Sequence, residues 1–201
     1  MKKEITVKPT TVAMLEVGIK NLPDSSLLVR SPIVRTDEAP EVLCSLYEIA
    51  GKKNTYGIPA GWFKRAMVRW AKGKSCEEIS GSDVLRNIWV MPDHKAISGL
   101  DLVTIKGSRP HQVQDVWLPF GHCTPRIITF TEINIWKSML QVRFNSDAFT
   151  AEEVLNLINL GGSDDGCGRK RIGEGYNHGG YSVSEKPAPK VTYFKSSKGV
   201  V

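Results

Sequence analysis

Cysteine, histidine and long apolar runs are all scarce in this chain. Its four cysteines, Cys44, Cys76, Cys123 and Cys167, include no pair at CxxC spacing, and no histidine stands at zinc-finger distance from a pair. That spacing gives no sign of a zinc ribbon and favours free thiols in a reducing compartment over a disulfide framework. No apolar stretch approaches the roughly 20 residues that a membrane-spanning helix needs. The opening Met-Lys-Lys-Glu is not followed by the apolar core of a signal peptide. The expectation is a cytoplasmic protein with no membrane partner. Nucleotide-loop motifs are missing as well, with neither GxxxxGK(S/T) nor GxGxxG between a strand and a helix.

The four histidines, His94, His111, His122 and His178, do not assemble with a nucleophile and an oxyanion donor by spacing. Asp93-His94 and His122-Cys123 are chain neighbours, and neighbours in an extended segment face opposite ways. Asp164-Asp165 reads as a solvated turn rather than a metal site. No metal, no cofactor and no catalytic centre are therefore expected, with His178 kept as the candidate if there is one.

What is present is an ordinary globular composition: 201 residues, 41% apolar and 24% charged, enough to bury a core without staples. The net charge of +6 is uneven. Lys52, Lys53, Lys64, Arg65, Arg69, Lys72 and Lys74 follow one another with no acidic residue between, and Arg169-Lys170-Arg171 forms a second cluster. Clustered positive charge suits an anionic partner.

Residues 11–20 alternate, with Ala13, Leu15, Val17 and Ile19 on one side and Glu16 and Lys20 on the other, which predicts a half-buried strand. Asn21 to Ser26 breaks it, and Leu27 to Arg30 resumes an extended run that Pro32 closes. Residues 36–56 read as a loop or short helix. After Pro59 and Gly61 a helix is predicted, with Phe63, Ala66, Met67 and Trp70 on its apolar face and Arg65, Arg69 and Lys72 as a positive stripe. Ile88–Val90 and Leu102–Ile105 read as short strands, and Ser108–Pro125 as a long irregular segment that exposes Trp117, Leu118 and Phe120 or tucks them over the core. Residues 135–144 alternate again, with Trp136, Leu140, Val142 and Phe144 opposite Lys137, Gln141 and Arg143. Thr150-Ala-Glu-Glu153 is a capping box for a helix through Leu160, with Gly161 as its left-handed C-cap. A glycine-rich segment follows, and Tyr181–Val183 is the return strand. Two strand–helix–strand units predict a ferredoxin-like α+β sandwich. The domain reading is one domain over 1–184, with about 75–130 as an insertion or subdomain, and a Lys/Pro-rich arm over 185–201 that pairs through Val191–Phe194.

Three segments together resemble a known family. Ser31-Pro32, the stretch YGIPAGWFKRAMVRWA (56–71) and the glycine-rich run after VLNLINLGG (154–162) are similar to a group of phage-encoded proteins that looks like a distant relative of the RAMP superfamily. That superfamily includes backbone subunits and RNA-processing nucleases of CRISPR systems. IPAGWFK resembles its IPGSSLKG turn, and Gly161–Gly180 its glycine-rich loop. The loop departs from the phage group's pattern by reading Gly-Arg-Lys-Arg-Ile-Gly-Glu-Gly, which leaves the ligand open. The resemblance implies an RRM-like fold, binding of single-stranded RNA or DNA, and assembly as a homo-oligomer or filament or with other protein subunits.

The expected site is the glycine-rich loop, whose bare backbone could cradle phosphates. Arg169, Lys170 and Arg171 would add charge, Tyr176 and His178 would stack on bases, and Lys64, Arg65, Arg69 and Lys72 would follow the backbone. Two alternatives stand beside this binding module. One is a RAMP-type endoribonuclease using His178 with Tyr176. The other is a phage structural or host-defence-interfering protein with a protein partner. A glycine-rich segment packed into the protein's own interior, or facing an acidic neighbour, would end the reading of that loop as the surface that meets phosphates.

Overall fold

The computed structural model describes residues 11–29, 47–49, 56–73, 79–96, 99–117 and 126–194. Ser31-Pro32, Lys52, Lys53, Lys74, Leu118, Phe120, His122, Cys44, Cys76 and Cys123 lie outside the described residues, as does the side chain of Trp117. In chain order the elements are β1 (Val12–Asn21), β2 (Leu27–Val29), β3 (Tyr47–Glu48), β4 (Tyr56–Pro59), α1 (Ala60–Gly73), α2 (Gly81–Asn87), β5 (Ile88–Met91), β6 (His94–Lys95), β7 (Asp101–Gly107), β8 (His111–Trp117), β9 (Arg126–Ile133), β10 (Trp136–Asn145), α3 (Ala151–Asp164), a 3-10 turn (Ile172–Glu174), β11 (Tyr181–Val183) and β12 (Lys190–Phe194).

The architecture is α+β with antiparallel sheets. The main sheet runs β11-β1-β10-β7-β4-β3, and a smaller one runs β2-β9-β8. β1 is an interior strand, bordered on both edges, and its alternation is regular. Ala13, Leu15, Val17 and Ile19 are at most 1% exposed, whereas Lys20 faces solvent. β10 pairs with it from Val12↔Asn145 to Lys20↔Lys137. On the other edge of β1, β12 and β11 sit end to end, opposite Val12–Glu16 and Ile19–Asn21. On the far edge of β10, β7 and β5 do the same. β1 and β5 are both antiparallel to β10 and so run parallel to each other with β10 between them. By the same reasoning β10 and β11 run parallel with β1 between them. α1 lies in the first of these connections and α3 in the second.

Both helices pack on one face of the main sheet. Phe63 and Met67 of α1 join Val154, Leu157 and Ile158 of α3 in one cluster with Leu15, Val17, Leu140, Val142 and Phe144. Each large apolar side chain buried this way contributes about 1.5–3 kcal/mol. The predicted capping box closes α3: Glu153 N–H donates to Thr150 Oγ1 at 3.2 Å, and Thr150 N–H donates to Glu153 Oε2 at 2.7 Å. A second box, Ser80 with Asp83, opens α2.

Three expectations are corrected. α3 does not stop before Gly161 but runs to Asp164, with Asp165 as its C-cap. Gly161 and Gly162 are helical and serve close approach: a Cβ on Gly161 would lie 2.8 Å from Met67 N, and one on Gly162 2.2 Å from Tyr181 O. The segment Ser108–Pro125 is not all irregular, because His111–Trp117 forms β8 against β9. As the outer strand of a small sheet, β8 exposes His111, Gln112, Gln114 and Val116 and so lacks apolar alternation. Within 36–56, Tyr47–Glu48 is a strand, paired with β4.

Candidate nucleic-acid interface

α1 turns Phe63 and Met67 into the core, which leaves Arg65, Arg69 and Lys72 on its exposed side. The glycine-rich segment folds against this side. Arg69 Nη1 lies 3.5 Å from Asp165 Oδ1, a contact between residues 96 positions apart. Asp165 Oδ2 accepts from Arg171 Nη1 at 2.9 Å, and Arg171 Nη2 donates to Glu174 Oε1 at 2.5 Å. Arg169 is exposed beside them. The two sequence clusters thus become one arginine group around Asp165.

Electrostatics register this crowding. Burial lowers the pKa of Arg65, and the charges of Arg171, Arg69 and Arg169 lower it further against the opposing pull of Asp165. A guanidinium keeps its proton regardless, so the consequence is positive potential that Asp165 offsets only in part. Burial pushes the Asp165 carboxyl above its ordinary range while Arg171 and Arg69 pull it back. Burial also works upward on Glu174, but the hydrogen bond and charge of Arg171 and the charge of Arg69 take it below. Asp165 is therefore an internal counterion and not the solvated turn expected. Arg171 is 5% exposed and already committed to Asp165 and Glu174.

Lys64 leaves the group. Its Nζ donates to Leu85 O at 2.8 Å and lies 5.6 Å from the centre of the Trp89 ring, and burial lowers its pKa. Lys72 stays exposed at the end of α1, with its methylenes against Gly81.

The glycine-rich segment is not the open cradle expected. The backbone N–H groups of Gly166, Cys167, Arg169, Ile172, Gly173, Glu174, Gly175, Tyr176, His178 and Gly179 all donate to carbonyls of the protein. Arg169 N–H reaches Leu28 O at 2.9 Å and Gly179 N–H reaches Ser26 O at 2.7 Å, so the segment is stitched to the chain around β2. Gly179 has φ +75°, and a Cβ there would fall 1.7 Å from Cys167 O, so glycine is required for that crossing. Cys167 is buried and its thiol pKa is pushed up by that burial.

Lys170, Tyr176 and His178 form a second group, turned toward the small sheet. Lys170, with φ +50°, pairs with Asp115 and lies 5.8 Å and 5.3 Å from the ring centres of Phe130 and Tyr176. Tyr176 is half exposed and open to stacking. His178 Nδ1 lies 2.8 Å from Ser26 Oγ, and that hydroxyl donates to Glu132 Oε1. A hydroxyl has one proton, so Ser26 accepts from Nδ1–H, and Nε2 of a neutral ring carries the free lone pair. Burial lowers the pKa of His178, Glu132 raises it and Lys170 lowers it, with a net fall. The other carboxylate oxygen of Glu132 lies 3.2 Å from His111 Nε2. A neutral, partly exposed imidazole of this kind takes up a proton only at a lower pH than a free imidazole does. Asp93, paired in sequence with His94, instead accepts the backbone N–H of Thr104 at 2.9 Å.

Sequence reasoning missed Ser26, His111, Asp115 and Glu132 as partners of the segment. They sit on or beside β2, β8 and β9, and only the pairing of those strands brings them to it. Among the described residues no group of His, Cys, Asp and Glu is placed to hold a metal ion, and no helix is long and apolar enough to cross a membrane.

No family model and no curated protein matches the chain. Solved structures do match. One is the cryo-EM structure of the Type III-B Cmr-beta bound to cognate target RNA, at a TM-score of 0.52 and 13% identity over 93% of this chain. The chain spans 62% of the length of that structure's chain. At this identity the likeness is one of fold, and it agrees with the RAMP-like α+β architecture expected from the motifs.

Proposed function

We propose that this protein binds single-stranded nucleic acid through the exposed arginines at the seam between α1 and the glycine-rich segment. The observation that carries the reading is the crowding of Arg69, Arg171 and Arg169 on Arg65, pinned by the Arg69–Asp165 contact between segments distant in the chain. The Arg69–Asp165 pair joins the two sides of the seam, Arg171 and Glu174 brace Asp165 and the segment, and Lys72 extends the charge along α1. Tyr176 supplies a stacking face in the neighbouring group of Lys170 and His178. The charge is contributed by side chains and not by a nest of backbone N–H groups, since most of those are already bonded within the protein.

The reading includes a ferredoxin-like core, for which the strand order β11-β1-β10-β5 and the two connections that each skip a strand are the support. The fold likeness to a chain from an RNA-bound complex favours RNA as the polymer. The phage-encoded group rests on the sequence motifs alone. Assembly with further copies or other subunits belongs to the same proposal, and light scattering tests it.

Replacing Arg65, Arg69 and Arg169 together by Gln, with Arg171 kept, is expected to weaken binding of labelled poly(U). The slope of log affinity against log salt should fall by about 2, at about 0.7 for each phosphate released on a single strand. Fluorescence anisotropy measures both. Unchanged affinity and slope would remove the seam from the model.

A further inference from the structure

The face of the main sheet turned away from α1 and α3 carries a charge pattern of its own. β1 and β10 pair Lys20 with Lys137, and β10 and β7 pair Lys137 with Lys106. Directly paired residues of antiparallel strands project to the same side, with Cβ atoms about 4.5–5.5 Å apart. All three lysines are exposed. They therefore form one row of ammonium groups across three neighbouring strands, about 10 Å long at ~4.8 Å per strand.

Little on that face offsets the row. The same side of β10 continues with Met139, Gln141 and Arg143, and the same side of β1 with Gly18, Glu16 and Met14. Glu16, the one carboxylate on this side of β1, β7 and β10, stands four residues from Lys20, about 13 Å along the strand. None of the three lysines forms an ion pair with a described residue; such pairs occur at Lys95, Lys170, Arg69 and Arg171. Like charges directly opposite one another destabilise a sheet. A row of three keeps that cost in the empty protein and is relieved when an anion lies along it.

We propose that Lys20, Lys137 and Lys106 bind the sugar–phosphate backbone of a nucleic-acid strand, at a second site on the face opposite the arginine seam. Lysine offers point charges and not a guanidinium fork, and no aromatic side chain stands in the row. Contact is thus to phosphates and independent of sequence. One molecule then holds two strands, or two stretches of one strand, on its two sides. The polymer's identity rests on the nucleic-acid reading above; the anion site itself does not.

The test compares the parent with K20Q/K106Q/K137Q and with R65Q/R69Q/R169Q, titrated with poly(U), poly(dT) and poly-L-glutamate. Each triple variant is expected to lose one strand per protomer and about 2 from the salt slope. A lysine variant with unchanged stoichiometry and slope overturns the proposal, as does binding of poly-L-glutamate in place of both nucleic acids, which would identify an acidic protein partner. Stability gives an independent readout. K137Q should melt roughly 1–4 °C above the parent at low salt. That gain should vanish at about 1 M salt, where the Debye length is about 3 Å. A K137Q that never exceeds the parent overturns the row. If no polymer binds any form, a rise in Tm with tripolyphosphate that the lysine variant lacks upholds the anion site while the arginine reading falls. Absence of that rise overturns both.

Discussion

Arg171 satisfies two carboxylates at once, and its neighbour Arg169 satisfies none that is described. Arg171→Ala would leave the carboxylate of Asp165, itself 6% exposed, with only the longer Arg69 contact, at a cost of about 1–3 kcal/mol. Arg169→Gln should change stability by less than about 0.5 kcal/mol. Urea unfolding of the two variants separates them; equal midpoints would show that Arg171 is not the internal partner. Arg169-Lys170-Arg171 is legible in the sequence as a basic cluster, but its division of labour is not. Residues two apart in extended chain ordinarily share a side, yet Lys170 at φ +50° turns the chain between them. What draws Arg171 inward is Asp165, and Asp165 is fixed by α1 and α3, so the cue is tertiary.

The elements that could be read from sequence are those whose burial follows a period. β1 and β10 alternate because one face meets the helices and the other meets water, and α1 and α3 show apolar stripes for the same reason. β8 has little such contrast, since one of its sides is exposed and the other only partly covered, and the two glycines inside α3 resemble a terminus. Their helical role follows from contact with α1 and β11, which local propensity does not encode. Gly161→Ala should therefore destabilise by about 1–3 kcal/mol by forcing α3 off α1. Gly61→Ala, in the first turn of α1 with open space around it, should stabilise by about 0.5–1 kcal/mol. Thermal melts of both variants check the pair, and a neutral Gly161→Ala would contradict the close approach.

At the scale of the whole molecule, the small sheet is joined to the rest through Ser26, Glu132, His111 and His178. His178 has a folded pKa below its ordinary 6.5, so the unfolded chain takes up the proton first. Its contribution to stability is complete above about pH 6.5 and is lost as pH falls toward the folded value. His178→Gln should flatten the dependence of the urea midpoint on pH below that point, and an unaltered slope would place the linkage elsewhere. The two sheets also interleave distant parts of the chain. β1 is flanked by β10 on one edge and by β11 and β12 on the other, so the earliest long strand is bordered by some of the latest. A growing polypeptide leaving the ribosome therefore carries an apolar ribbon, Ala13 to Ile19, that waits more than a hundred residues for its neighbours. Nascent chains arrested before β10 should need a chaperone's cover, and the native sheet can close only after β10, β11 and β12 have emerged.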